Sequence, residues 1–198
     1  MGYVISAMIK RQIRILGVDD GPFSFRQKKA IVIGVVMRAN GYIEGVLKRE
    51  IDVDGTDSTD MIIDMIANTR HRNQIRVIMI DGIALGGFNV VDIDRIYTEE
   101  SIPVITVTRE KPNFDTILST LKLKFEDWEE RWSKIRNNQI FEVETKHKPV
   151  YISFRGISLE EAKEIIRIST IRGVIPEPLR VAHMIASGVV RGESYGKA

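Results

Sequence analysis

Residues 13–22 read Ile13-Arg14-Ile15-Leu16-Gly17-Val18-Asp19-Asp20-Gly21-Pro22, and residues 76–82 read Arg76-Val77-Ile78-Met79-Ile80-Asp81-Gly82. Each is a short apolar run that stops at aspartate and then glycine. Both are expected to be buried strands with a carboxylate at the carboxyl end. If the two strands are neighbours, their Cα atoms lie about 5 Å apart. Carboxylates that close repel when both are ionised. A divalent cation removes that penalty, and hard carboxylate oxygens suit magnesium or manganese. Asp-Gly is also an ordinary way to end a strand in a turn, so either aspartate alone is ambiguous. The pair, Asp19 with Asp81, points to a metal site. The crevice beyond strand carboxyl ends is the usual ligand position in open α/β sheets.

The flanking sequence extends this pattern. Ala30–Met37 (AIVIGVVM) is a buried strand, Asn40-Gly41 is a hairpin signal, and Tyr42–Ile51 returns as its partner. An acidic loop, residues 52–58, leads to a helix expected over Thr59–His71, with Met61, Ile62, Met65 and Ile66 inward and Asp57 or Ser58 as N-cap. Asp57 with Asp60 reads as a capping-box variant. After Asp81 a glycine-rich loop (GIALGGFN) precedes a short helix near Val90–Tyr97 and a strand at Ile102–Thr108. Apolar residues spaced by three and four predict one long helix over Phe114–Arg136, with Trp128 and Trp132 in packing rather than base-stacking roles. Two short strands follow, Phe141–Thr145 and Val150–Phe154. Ser158 and Glu161 form the clearest capping box, opening a helix to about Thr170. Pro176-Glu177-Pro178 feeds a last short helix carrying Arg180 and His183. The order is β-β-β-α-β-α-β-α, then β-β-α-α. It is that of a ribonuclease H-like α/β domain: three antiparallel strands, then parallel βαβ units, in a mixed sheet with helices on both faces. A Rossmann fold is excluded because no GxGxxG follows the first strand.

Composition narrows the function classes. The 198 residues fit one domain, expected over residues 1–190 with a loose tail at 191–198. Cysteine is absent, which excludes disulfides, cysteine-held zinc, iron–sulfur clusters and thiol catalysis. The net charge of +2 neither announces nor forbids a nucleic-acid partner. The apolar run at the start is broken by Lys10, Arg11 and Arg14, and no 18-residue apolar span exists, so no membrane partner and a cytoplasmic location are expected.

Other carboxylates are candidates for the metal cluster. Asp54 and Asp57 precede the first helix, and Asp92 sits near the short helix after the Gly-Gly loop; capping is the competing role for each. Asp20 points away from Asp19 if the strand continues, and is a second choice. Gly86 and Gly87 allow close backbone approach to a ligand, and Asn89 can hydrogen-bond a phosphate or a base edge. Of the three histidines, His71 suits a helix end, His147 a solvated turn, and His183 can share a helix face with Arg180. Their spacing does not make a zinc site, and no nucleophile elbow is present. Basic residues such as Arg26, Lys28, Arg155 and Arg191 read as solvated charges, or as a phosphate-binding groove if they gather.

The segments GVDDGPF (17–23), DVDGTDST (52–59), IDGIALGGFNVVDI (80–93), PVITVTREKP (103–112), PVYISFRGISLEEA (149–162) and IPEPLRVAH (175–183) resemble an uncharacterised archaeal protein family that is itself distantly similar to endonuclease V. The resemblance covers nearly the whole chain. It implies a ribonuclease H-like fold and a magnesium-bound carboxylate set acting on nucleic acid containing deoxyinosine or inosine. The enzyme's first-strand aspartate falls on Asp19 and its central aspartate on Asp81. Its glutamate falls nearest Asp57, with Asp54 as the alternative. Tyr42–Gly45 (YIEG) is similar to the enzyme's base-probing wedge, with glutamate in place of proline. The enzyme's His-Pro-Arg stretch is absent. Its Gly-His before the late helix is replaced by Phe154-Arg155-Gly156, so a histidine that helps hydrolysis is missing. The segment ending in Arg180, Ala182 and His183 is retained.

Three function classes follow. The first is a magnesium- or manganese-dependent nuclease or phosphodiesterase on DNA or RNA, with Asp19, Asp57 and Asp81 catalytic. In it Asp19, Asp81, Asp57, Asp54 and Asp92 are candidate metal ligands, and Asp20, Gly86, Gly87, Asn89, Arg155, Arg180 and His183 candidate substrate contacts. The second is a non-catalytic nucleic-acid or nucleotide-binding module on the same fold. The third is a protein-interaction protein in which the Asp-Gly ends are only turns.

Overall fold

The computed structural model describes residues 12–195. The expected N-terminal apolar run lies largely in residues 1–11, and the end of the expected tail in residues 196–198; both fall outside the described residues.

The strands are β1 (Arg14–Asp20), β2 (Lys29–Arg38), β3 (Ile43–Asp52), β4 (Ile75–Asp81), β5 (Ala84–Leu85), β6 (Asn89–Val90), β7 (Val104–Thr108), β8 (Phe141–Val143) and β9 (Val150–Arg155). The helices are α1 (Ser58–Ala67), α2 (Ile93–Glu100), α3 (Phe114–Lys124), α4 (Trp128–Arg136), α5 (Leu159–Ser169) and α6 (Glu177–Arg191). Seven strands form one mixed sheet in the order β3-β2-β1-β4-β7-β9-β8, and β5 and β6 make a separate small hairpin. β1, β2 and β3 pair antiparallel; β1–β4 and β4–β7 pair parallel; β9 returns antiparallel to both β7 and β8. This is the ribonuclease H-like arrangement expected above.

Alternation in β1 explains the layers. Leu16 and Val18 join one core with Met61, Ile62, Met65, Ile93 and Ile96 from α1 and α2. Ile15 points the other way, into a core with Ala162, Ile165 and Ile166 of α5 and Leu179 of α6. Ile33, Val35 and Met37 of β2 meet Val181, Ala182 and Ala186 of α6. Helices therefore cover both faces, and β1 is buried between them as a central strand must be.

Gly17 sets the height of α6. A Cβ there would lie 2.5–2.7 Å from backbone and side-chain atoms of Pro178, so only glycine admits the helix this close to β1. α6 is also longer than the short final helix expected. It runs 15 residues, through Gly188, because its apolar stripe of Leu179, Ala182 and Ala186 is buried along β1 and β2.

Two further expectations are corrected. The single helix over Phe114–Arg136 is two, because Phe125 adopts an extended conformation (φ −130°, ψ 130°) and ends α3. Its ring turns inward, 5.7 Å from that of Phe88 and 4.2 Å from the guanidinium carbon of Arg131. Helical periodicity cannot register such a break, since the apolar residues on either side keep the same spacing. Asp57 holds the N-cap position of α1 without capping it, and Asp60 pairs with Arg95 at 2.7 Å instead of closing a capping box. The Ser158–Glu161 capping box on α5 forms as expected. Both tryptophans pack with Leu121, Ile117 and Phe114, as expected.

Candidate active site

The parallel register of β1 on β4 pairs Val18 with Ile80, so the next residues, Asp19 and Asp81, stand side by side at the strand ends. They open into a cleft of about 500 Å³, lined by Asp19, Asp20, Gly21, Pro22, Phe23, Asp81, His183 and Arg191. Three carboxylates thus share one concavity. Asp19 is almost wholly buried, at 4% exposure. Its Oδ1 accepts from the backbone N–H of Asp20 at 2.8 Å, and its Oδ2 lies 2.9 Å from Nδ1 of His183. A carboxylate oxygen can only accept, so Nδ1 carries the proton in this pair.

The electrostatics follow from crowding. Burial pushes the Asp81 carboxyl up to about 7, and the charge of Asp19 adds to the rise, while Arg109 and His183 oppose it. Asp20 is pushed up to about 6, first by burial and then by Asp19, against the pull of the Gly86 N–H. The hydrogen bond to Asp19 holds the His183 imidazole above its ordinary value, with burial opposing. Both carboxyls are raised first by burial and then by the charge of Asp19, a cost that a proton or a cation relieves.

Asp20 lines the same cleft, with its carboxyl beside that of Asp19. Its Oδ2 accepts from Gly86 N–H at 2.7 Å. Gly86 and Gly87, at φ +55° and +95°, turn the β5–β6 hairpin back so that this N–H faces β1. Gly86 thus touches the site through its backbone.

The other expected site residues lie elsewhere, with their polar groups engaged. Asp57 accepts from the Asp52 N–H at 3.1 and 3.2 Å and from Asn89 Nδ2 at 2.6 Å. Asp54 accepts from the Phe88 N–H at 2.8 Å. Asp92 caps α2 by accepting from Arg95 N–H at 2.9 Å. Asn89 is fully buried, bridging Ser58, Asp52 and Asp57, so its amide is spent inside the protein rather than offered to a phosphate or base. Arg155 pairs with Asp94 and Arg180 with Glu177, and neither lines the cleft. Turn-rich acidic loops look alike in sequence whether their carboxylates bind backbone or metal. What separates them is the hairpin that folds over residues 52–58.

Sequence reasoning missed Phe23 and Arg191 as cleft residues and Arg109 as the cation nearest in influence to Asp81. Arg109 carried a readable signal, because it follows β7, the parallel neighbour of β4, at the same edge of the sheet.

Among the described residues no group of three or more His, Asp or Glu side chains is arranged to hold a metal ion. The donor chemistry nonetheless fits a hard divalent cation. Magnesium commonly takes only one or two carboxylates and completes its shell with water and substrate phosphates. Asp19 and Asp81 are the residues that would hold it.

The sheet order, with its acidic cleft at the parallel strand ends, is that of a ribonuclease H-like fold, one shared with endonuclease V. Endonuclease V of Ciona intestinalis, solved with a 24mer DNA containing an inosine followed by a ribo-adenosine, superposes with a TM-score of 0.57 at 15% identity, over 86% of this chain and 82% of that one. A protein of unknown function from Archaeoglobus fulgidus superposes at 0.81 with 39% identity, over 91% and 99%. The family described as Endonuclease dU matches residues 11–190, and the chain belongs to that family. A UPF0215 protein of Methanothermobacter thermautotrophicus is 49% identical over 192 residues, 96% of this chain and 94% of its own.

Proposed function

We propose that this chain is a divalent-metal-dependent nuclease that hydrolyses a phosphodiester in DNA or RNA. The observation that supports it is the meeting of Asp19, Asp20 and Asp81 with His183 in one cleft at the carboxyl ends of parallel strands. A magnesium or manganese ion bound there would supply Lewis-acid activation of water and charge stabilisation at the leaving oxygen. Asp19 and Asp81 would hold the cation. His183 orients Asp19 through Nδ1 and, from the cleft wall, is positioned to exchange a proton with the reacting oxygens. Asp20, steadied by Gly86, faces the same space and can accept a hydrogen bond from the attacking water. Arg191 offers a positive charge to the phosphate.

The test is cleavage of labelled single and double strands, plain or carrying deoxyuridine or inosine, with magnesium, manganese or chelator. Metal-dependent cutting is expected, and Asp81→Asn should lower it by about 100-fold or more, roughly 2.7 kcal/mol in the barrier. Cutting that survives both chelator and Asp81→Asn overturns the proposal. The engagement of Asp57 by the Asp52 N–H and Asn89, which keeps it out of the cleft lining, favours a second reading: nucleic-acid binding without turnover. Tight binding by a folded protein that cuts none of these strands would establish it.

A further inference from the structure

The loop between β1 and β2 holds an aromatic side chain at the rim of the cleft. Ser24 and Gln27 close it into a tight turn, with the Gln27 N–H donating to Ser24 O and the Ser24 N–H to Gln27 Oε1, both at 2.8 Å. Phe25 stands on that turn with its surface 67% exposed. A single exposed phenylalanine is ordinary in itself. Its surroundings are specific. Its ring meets Phe23, a cleft-lining residue, edge to face at 5.4 Å between centroids. The Lys124 ammonium lies 5.6 Å from the ring centroid. Residues 23–28 carry Arg26 and Lys28, both exposed, and no acid.

An exposed ring on a closed turn, with the Lys124 ammonium over one face, two further exposed cations in the same turn, and an acidic cleft beside it, matches one ligand chemistry: an unpaired nucleotide. Every base has a π-face that stacks on an aromatic ring, and the neighbouring phosphate needs a positive charge. We infer that Phe25 is the stacking platform for a nucleobase of a single-stranded segment whose backbone enters the cleft, with Lys124 serving the adjacent phosphate. This deepens the nuclease reading and rests on it. It assigns single-stranded nucleic acid as the substrate class and Phe25 as a positioning residue. The turn holds the ring in place before binding, so little ordering entropy opposes the stack.

The experiment is fluorescence anisotropy of a labelled 12-nucleotide strand in calcium, with wild type, Phe25→Ala, Phe25→Trp and Lys124→Gln. Leu123→Ala, which trims an exposed apolar residue beside Lys124, is the control. Phe25→Ala should weaken binding by roughly 5- to 100-fold, the range for losing one stacked base, while Phe25→Trp restores it. Replacing nucleotides one at a time by abasic sites should reveal one position at which wild type loses affinity and Phe25→Ala loses no more. Lys124→Gln should flatten the salt dependence, and Leu123→Ala should change nothing. Equal binding by wild type and Phe25→Ala, or an equal loss on blunt duplex, overturns the stacking inference and leaves the nuclease reading standing. A wild type that binds no strand and cuts none overturns both.

Discussion

His183 and Asp19 are 164 positions apart in sequence and share a hydrogen bond of 2.9 Å, with Asp19 buried at the end of β1 and His183 one face of α6 above it. Partners of this kind orient a ligating carboxylate, and their loss typically costs 10- to 100-fold in metal affinity or activity. His183→Ala is therefore expected to weaken manganese binding by about 10- to 100-fold with the fold intact. Calorimetric titration checks the affinity, and circular dichroism the fold. Unchanged affinity would mean that Asp19 is positioned without the histidine.

Asp81 makes stability pH-dependent. Its folded value of about 7 stands above the ordinary 3.8, so between these values the native state holds a proton that the unfolded chain has released. Its contribution is fully present at acid pH and is lost as pH rises towards 7. Asp81→Asn removes the titrating charge but keeps the shape. The variant should match wild type near pH 4 and exceed it at pH 8 by about 1–3 kcal/mol after screening by solvent in the cleft. Urea melts across that range measure the difference. Manganese should raise the melting temperature of wild type at pH 8 and leave Asp81→Asn unmoved.

Gly17→Ala tests how the site is assembled. The added methyl falls 2.5 Å from the Pro178 carbonyl carbon and must lift the start of α6 from the sheet. Overpacking of this kind costs about 1–3 kcal/mol. Because His183 rides on α6, its raised imidazole value should fall back towards normal, which an NMR titration of the ring protons reads directly. A destabilised variant with an unshifted His183 would show that the helix yields locally at Pro178.

Arg131 braces the loops behind the cleft. Its buried guanidinium donates to Gly55 O at 2.9 Å and Phe88 O at 2.8 Å, and its Nε donates to Asp127 at 2.9 Å. Arg131→Met leaves two carbonyls without this donor and should cost about 2–4 kcal/mol. The β5–β6 hairpin carries the Gly86 N–H that steadies Asp20, so hydrogen exchange at Gly86 should accelerate more than at β2.

The apolar runs of β1, β2 and β4, the Asn40-Gly41 hairpin and the Ser158–Glu161 cap are written locally. Each depends on residues within one element, where periodicity, turn chemistry and capping act over a few positions. From these the strands and their acidic ends could be read before any coordinates, while the adjacency of β1 and β4 that pairs Asp19 with Asp81 was an assumption that the parallel register supplies. The break at Phe125 could not, because it is stabilised by contacts with Phe88 and Arg131 rather than by any local stop signal. Nor could the fate of the acidic loop. Asp54 and Asp57 resemble metal ligands in sequence, and only the folding of the Gly86–Asn89 hairpin onto residues 52–58 commits their oxygens to backbone and amide donors. The pairing of His183, itself a candidate in the sequence, with Asp19 lay beyond sequence for the same reason. A hydrogen bond across 164 residues is decided by how closely α6 can approach β1, and that approach is set by the missing side chain of Gly17. Local chemistry determined the strands and their acidic ends. Long-range packing decided which acids share a cleft, because burial and distance exist only once the chain has closed on itself.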